Sequence, residues 1–268
     1  MKQDSQLYLD VAVKAARAGG RILMAHLGKL TAADVSRKGE SDWVTTIDRA
    51  SEKAVIGVLL KAFPGHTIKA EESAPTARAG LYQWLIDPLD GTTNYIHRFP
   101  MFCVSIALAH AGRLEVGVIY DPQRNELFTA RRGHGAWLNG RRIRVSRHAV
   151  LREALLATGF PFRAKRHLDP YMESFRRLFL ETGSIRRAGS AALDLAYTAC
   201  GRVDGFWEMA LSSWDMAAGA LLIQEAGGKV SDFFGGSTYL NSGHIAAANP
   251  VIHRKMVGIV APVFRGKI

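Results

Sequence analysis

Apolar positions recur along this chain with two different spacings, and the change from one to the other divides it. Leu7, Val11, Ala15, Ala18, Ile22 and Leu23 fall three and four residues apart, the stripe of a helix laid on a core. Gly19-Gly20 inside the stripe lowers helix propensity, so close packing against a neighbour is expected there, and Gly28 ends the helix. A polar link through Lys38 leads to a second helical pattern, Ala50, Ala54, Val55, Val58, Leu59 and Phe63, closed by Pro64-Gly65. His66 to Ser73 then predicts a short strand ending in two acids, Glu71 and Glu72, of which at most one can face a given cleft. Trp84-Leu-Ile86 ends a buried strand, and Pro88 is expected to stop its regular pairing.

Four further strands, Phe102–Ala109, Arg113–Tyr120, Glu126–Ala130 and Arg142–Val145, are joined by tight turns. They predict an antiparallel sheet covered by the first two helices. After residue 145 the rhythm changes: a strand at Leu155–Gly159, a helix at Tyr171–Phe179, a strand and glycine turn at Ile185–Ser190 and a helix at Ala191–Cys200. A strand at Asp204–Glu208 and a helix at Ser213–Ala226 follow. This alternation predicts a smaller α/β layer. The expected fold class is α+β, with an antiparallel-sheet domain over residues 1–145 and an α/β domain over 146–268.

At 268 residues and 48% apolar content the chain can bury about three quarters of its unfolded surface. Its formal charge of +11 can attract phosphorylated metabolites, RNA or acidic protein surfaces, and charge alone does not choose between them. The basic residues fall in small groups, such as Arg141-Arg142 with Arg144 and Arg147, or Arg163 with Lys165 and Arg166. Such groups read as solvated faces, and direct nucleic-acid binding is not expected. Cys103 and Cys200 lie in apolar sequence and suit free thiols in a reducing compartment. No apolar signal core opens the chain and no apolar run reaches the roughly 20 residues of a membrane span, so a cytoplasmic protein is expected.

The candidate chemistry is acidic. In Trp84-Leu-Ile-Asp-Pro-Leu-Asp-Gly-Thr-Thr-Asn94, Asp87 stands at a strand tip and Asp90 precedes a glycine turn whose threonines can start a helix with free N–H groups. Carboxylates beside such donors suit an oxygen-loving cation together with a phosphate; an ordinary Asp-Pro and Asp-Gly surface turn has the same sequence. Asp48 precedes the second helical pattern and Asp215 opens the apolar helix after Ser213; each is either a helix-terminal charge or a ligand reaching a shared site. Glu208 ends its own strand near the same mouth. No Cys or His joins these acids, which argues for Mg²⁺ over zinc.

Glu71-Glu-Ser, Asp87-Pro-Leu-Asp-Gly-Thr-Thr and Trp214-Asp-Met-Ala-Ala-Gly, in this order, resemble the signatures of the inositol monophosphatase family, over nearly the whole chain. The resemblance implies a layered αβαβα sandwich and Mg²⁺-dependent, lithium-sensitive hydrolysis of myo-inositol monophosphate or related sugar and polyol phosphates. It implies Glu71, Asp87 and the Leu89 carbonyl as ligands of one Mg²⁺, Asp87, Asp90 and Asp215 as ligands of a second, and a third, weaker ion near Glu71. Asp48 and Thr92 would help Glu71 orient the attacking water, while Asp90, Gly91, Thr92, Gly189, Ser190, Ala191 and Glu208 would line the substrate pocket. Lys38 matches a lysine near the metal-side loop, and Ser190 in the glycine turn with Arg186 and Arg187 could alter substrate preference. The likeness is greatest to bacterial members identified as extragenic suppressors, some of which serve in transcription antitermination at ribosomal RNA operons. RNA polymerase or antitermination factors are therefore possible partners, and a protein-binding role is the alternative function. The family usually forms homodimers, and the strands between Phe102 and Val145 offer a candidate apolar face.

Overall fold

A computed structural model describes residues 2–39, 42–74, 80–162 and 164–268. Helix α1 (Lys2–His26) leads through a hairpin of β1 (Val35–Gly39) and β2 (Asp42–Thr45) into α2 (Thr46–Ala62). Then come β3 (Thr67–Ala70), β4 (Tyr82–Asp90), a short α3 (Thr92–Ile96), β5 (Cys103–His110), β6 (Arg113–Asp121), β7 (Glu126–Arg131), β8 (Gly135–Leu138) and β9 (Arg141–Ile143). The second half runs β10 (Leu155–Thr158), α4 (Leu168–Glu181), β11 (Ser184–Arg186), α5 (Ala191–Ala199), β12 (Gly205–Glu208) and α6 (Ser213–Glu225). It ends with β13 (Lys229–Ser231), α7 (Tyr239–Ser242), β14 (Ile245–Ala248) and α8 (Pro250–Phe264).

Strands β3 to β9 form one sheet in sequence order, and β11, β10, β12, β14 and β13 form a second in that spatial order. The first sheet is not purely antiparallel as expected: β3 runs parallel to β4, and antiparallel pairing begins with β4 and β5. The reason is the separation, since β3 ends at Ala70 and β4 begins only at Tyr82, too far along the chain for a tight hairpin. The second sheet is also mixed, with β10 parallel to both β11 and β12 while β14 is antiparallel to its neighbours.

Alternation along the strands separates the layers. Trp84, Ile86, Val104, Ile106, Leu108, Val116 and Val118 face α1 and α2, whereas Leu85, Cys103, Ala107 and Ile119 face α5 and α6. The other side of α5 and α6 meets the second sheet through Ala157, Phe206, Ile245 and Ala247, and α4 and α8 cover that sheet from outside over Leu156, Trp207 and Ala246. The result is the layered αβαβα sandwich.

The middle layer is thin because its residues are small. Helix α6 is buried on nearly every side, as its apolar composition requires. At Gly117 of β6 a Cβ would stand 2.9 Å from the Ala218 carbonyl oxygen and 3.1 Å from its Cα, and Gly219 leaves no room for a Cβ against Leu195 of α5. The sheet and α6 thus approach at backbone distance, and the Leu195 side chain of α5 packs directly on the α6 backbone.

Several elements escape the sequence pattern. The β1–β2 hairpin lies in what reads as a polar link, β8 sits inside the Gly133–Gly140 turn region, and β13, β14 and α8 follow Gly228, where periodicity predicts nothing. Ile245-Ala-Ala-Ala248 is a buried strand whose three alanines are weak β-formers, held by strands on both sides. Between Phe102 and Val145 most apolar side chains turn into the two helical layers, while Trp137 of β8 is exposed. Exposed apolar side chains also sit on α4, at Leu168, Met172, Phe179 and Leu180. Among the described residues, no helix is long and apolar enough to cross a membrane.

The close approach at Gly117 has a measurable consequence. Gly117→Ala is expected to destabilise by about 1–3 kcal/mol, because backbone, not a movable side chain, meets the added methyl. Gly57→Ala, in the exposed face of α2 with nothing within 4 Å of a Cβ, is expected to stabilise by roughly 0.5–1 kcal/mol. Urea unfolding of the two variants beside wild type checks both signs.

Candidate active site

The site is built at the tip of β4, in a cavity of about 450 Å³. Pairing of β4 with β5 does not stop at Pro88: Asp87 lies opposite Ser105 and Asp90 opposite Cys103, with a register shift between them. The bulge accommodates a proline that has no N–H to give the ladder, and it re-aims the two aspartates. The Leu89 N–H donates to Asp87 Oδ1 (3.0 Å), fixing that carboxylate against the bulge. Gly91 then takes φ +94° as the residue before α3, and a Cβ there would stand 2.7 Å from the Met101 carbonyl oxygen, so only glycine makes this turn. Glu71 joins from β3, its backbone N–H donating to the Ile86 carbonyl (3.2 Å) next to Asp87. Of the two acids there, Glu71 lines the cavity.

Asp48 sits behind this wall, fully buried, in the first turn of α2. Its Oδ2 accepts from the backbone N–H (2.9 Å) and hydroxyl (2.5 Å) of Thr45 in a capping box, while its Oδ1 accepts from the Thr92 hydroxyl (2.8 Å). Helix cap and site contact, which the sequence offers as alternatives, are therefore both made by one carboxylate. Asp215 repeats the device at the start of α6, its Oδ2 accepting from the Ser212 N–H (2.7 Å), and it lines the same cavity.

The second half of the chain closes the cavity. Ser190, the residue before α5, donates its hydroxyl to Asp90 Oδ2 (2.6 Å), and the Ala192 N–H donates to the same oxygen (2.8 Å). Glu208 enters from the end of β12, and its carboxyl occupies the space a side chain at Gly159 would need. Gly189, Ser190 and Ala191 line the wall beside it. Glu71, Asp87, Asp90, Glu208 and Asp215 thus line one cavity with Leu89, Gly91, Thr92, Gly189, Ser190 and Ala191, and Asp48 reaches it through Thr92. The side chain of Lys38, and Arg163, lie outside the described residues.

Burial dominates the electrostatics. Desolvation, followed by the charges of Glu71, Asp90 and Asp215, pushes the Asp87 carboxyl well above the ordinary carboxylate range. Asp90 is pushed up to about 6 by burial, against the opposing bonds from Ser190 and Ala192. Burial also raises Asp48, and raises Glu208 strongly, with Asp194 adding to the shift and Arg187 opposing it. The five acids that line the cavity, Glu71, Asp87, Asp90, Glu208 and Asp215, are a set that a cation would relieve, and an all-oxygen donor set fits Mg²⁺. Among the described residues, no three His, Cys, Asp or Glu side chains close tightly around one point.

Sequence reasoning passes over other parts of the site. Asn94 Nδ2 faces three carbonyls, of Met101 (2.7 Å), Ala188 (2.9 Å) and Gly189 (3.2 Å), tying α3 to the second half of the chain. Its place directly after the Thr-Thr pair was the only local signal. Arg37 lies over Trp43 at 4.5 Å, and Arg187 over Phe162 at 5.0 Å, at two edges of the cavity. The sequence singles out Arg187 for substrate preference but has no pattern that lays it on Phe162, and Arg37 meets Trp43 only because the two pair across the β1–β2 hairpin.

A family model described as the inositol monophosphatase family matches residues 4–263. A protein of Pseudomonas aeruginosa named Nus factor SuhB is 50% identical over 262 residues, covering 96% of this chain and 97% of that one. The crystal structure of the extragenic suppressor protein suhB from Bartonella henselae superposes with a TM-score of 0.92 at 43% identity, over 95% of this chain and 98% of that one. An inositol monophosphatase from Anabaena superposes with a TM-score of 0.87, also at 43% identity, over 96% of each chain. With the three acidic signatures gathered in one cavity and the match running from α1 into α8, the chain belongs to the inositol monophosphatase family.

Proposed function

We propose that this chain is a Mg²⁺-dependent phosphatase that hydrolyses myo-inositol monophosphate and related sugar or polyol phosphates. The observation that carries the reading is the convergence of Glu71, Asp87, Asp90 and Asp215 on one cavity, where Asp87 is too crowded by protein and like charge to ionise readily alone. Glu71, Asp87 and the Leu89 carbonyl would hold one Mg²⁺; Asp87, Asp90 and Asp215 would hold a second. Bound there, the ions supply charge neutralisation for the phosphate, a lowered pKa for the attacking water and stabilisation of the departing alkoxide.

The chain's own groups do the aiming. Thr92 gives its hydroxyl proton to Asp48, which leaves its oxygen as an acceptor for a water O–H. With Glu71 it would orient that water toward phosphorus, while N–H groups at the start of α3 face the phosphate oxygens. Glu208 would bind substrate hydroxyls, beside the wall formed by Gly189, Ser190 and Ala191. No carboxylate is left over as a nucleophile, so transfer is direct to water.

The relatives named Nus factor SuhB support a second reading, a protein-binding role in transcription antitermination, with or without phosphatase activity. The +11 charge is compatible with it. Both roles can share one chain, and a pull-down with RNA polymerase and its accessory factors separates them: D87N is expected to lose hydrolysis and keep any capture seen with wild type.

Metal removal tests the first reading most directly. Activity on myo-inositol 1-phosphate is expected to vanish with EDTA and to return with Mg²⁺; Ca²⁺ should compete without supporting turnover, because its longer, looser coordination misplaces the water. Full activity in rigorously metal-free enzyme would sink the mechanism.

Substitutions should separate two kinds of residue. D90N and D215N are expected to lower kcat on the order of 100-fold, the loss of one electrostatic contributor in a desolvated site. The folded-state pKa of Asp90 lies above its unfolded value, so this group favours the metal-free fold at low pH and that contribution is lost as pH rises through about 6. D90N should therefore raise the metal-free thermal midpoint at pH 7 and flatten its dependence between about pH 4 and pH 6. E208Q should instead lower kcat/KM for inositol phosphates and leave a phosphate ester without those hydroxyls nearly untouched.

A further inference from the structure

Three side chains on one turn of α2 reach three different parts of the site. Asp48, Ser51 and Glu52, at spacings of three and four, share a helix face and are 0, 0 and 2% exposed. Asp48 accepts from Thr92. Ser51 donates its hydroxyl to the Pro88 carbonyl (2.9 Å), at the bulge between the two aspartates. Glu52 accepts from the Glu72 N–H through Oε2 (2.9 Å) and from the Ser73 hydroxyl through Oε1.

We infer that Glu52 is a positioning residue of the hydrolytic centre: it ties the segment carrying Glu71 to the helix carrying Asp48, so that the two acids keep a fixed spacing. The inference rests on the phosphatase reading above. Strand β3 ends at Ala70, and the Glu71 N–H is held by the Ile86 carbonyl. Immediately beyond, both oxygens of Glu52 anchor residues 72 and 73, so Glu71 is bracketed by β4 on one side and α2 on the other. A glutamate this buried is uncommon on a helix and, among the described residues, no cation pairs with it. Its two donors come from the segment after Glu71, and a rigid helix turn transmits their position to Asp48 and Thr92.

The test uses full-length enzyme and three variants, E52A, E52Q and S73A, with Mg²⁺ titrated into metal-free protein by calorimetry beside steady-state kinetics. E52A is expected to weaken Mg²⁺ binding and lower kcat by about 10–100-fold, the usual loss when an outer partner of a ligand is removed, with little change in KM. E52Q should recover most of this, because the Ser73 hydroxyl can reverse and accept from the amide. S73A should show a smaller loss in the same direction, and S73A in the E52A background should add nothing, since both remove one interaction. A merely structural Glu52 would lower the thermal midpoint and leave Mg²⁺ affinity and kcat of the folded enzyme unchanged; that result in E52A, or in S73A should E52A fail to fold, overturns the inference. If wild type binds Mg²⁺ but hydrolyses no polyol phosphate, the phosphatase reading fails, and the Mg²⁺ affinities of the variants still decide the role of Glu52.

Discussion

The structure depends on holding several carboxylates close together out of water. Burial and mutual repulsion both favour the protonated forms of Asp87 and Asp90, so the metal-free chain carries a local cost that an ordinary core would not tolerate. The cost is accepted because the groups are fixed by elements that have other reasons to be where they are. Asp87 is pinned to the Leu89 N–H of its own bulge, Asp90 to the first turn of α5, Asp48 to the cap of α2 and Asp215 to the residue before α6. In each, one oxygen is committed to the backbone, which sets the rotamer before any ligand arrives.

This arrangement converts helix capping into site construction. Capping boxes at Thr45–Asp48 and Ser212–Asp215 place an acid in the first turn, where backbone N–H groups lack helical partners. The helices then point those ends at one cavity from opposite halves of the chain. Such precision needs the halves to sit close, and the small residues of the middle layer provide it: Gly117 against Ala218 brings the first sheet and α6 to backbone contact, and Gly219 lets the Leu195 side chain of α5 rest on the α6 backbone. Asn94 adds a direct tie between α3 and the Ala188–Gly189 turn.

Much of this was legible in the sequence. The helical stripes of α1 and α2, the long strands β5 and β6, and the acids of the three signature stretches all follow from local pattern, because amphipathic periodicity and turn residues act over a few positions. What local pattern missed is equally specific. The β1–β2 hairpin has no apolar alternation, and β14 is Ile-Ala-Ala-Ala, a strand by virtue of its neighbours. Pro88 reads as the end of a strand, and the paired continuation to Asp90 exists because a bulge absorbs it.

The sequence by itself determined which residue types could do the chemistry: oxygen donors without Cys or His, a glycine at 91 where a left-handed turn is required, and acids at helix starts. It left open whether Asp48 and Asp215 were caps or site residues, since that choice depends on where two helices point. Only the tertiary structure decided that Asp48 makes both contacts, that Ser190 is aimed at Asp90, and that Glu52 holds the chain beside Glu71. Capping is settled within four residues, whereas each of these contacts joins positions 20 to 100 apart and exists only once the sheets have set the distance between them.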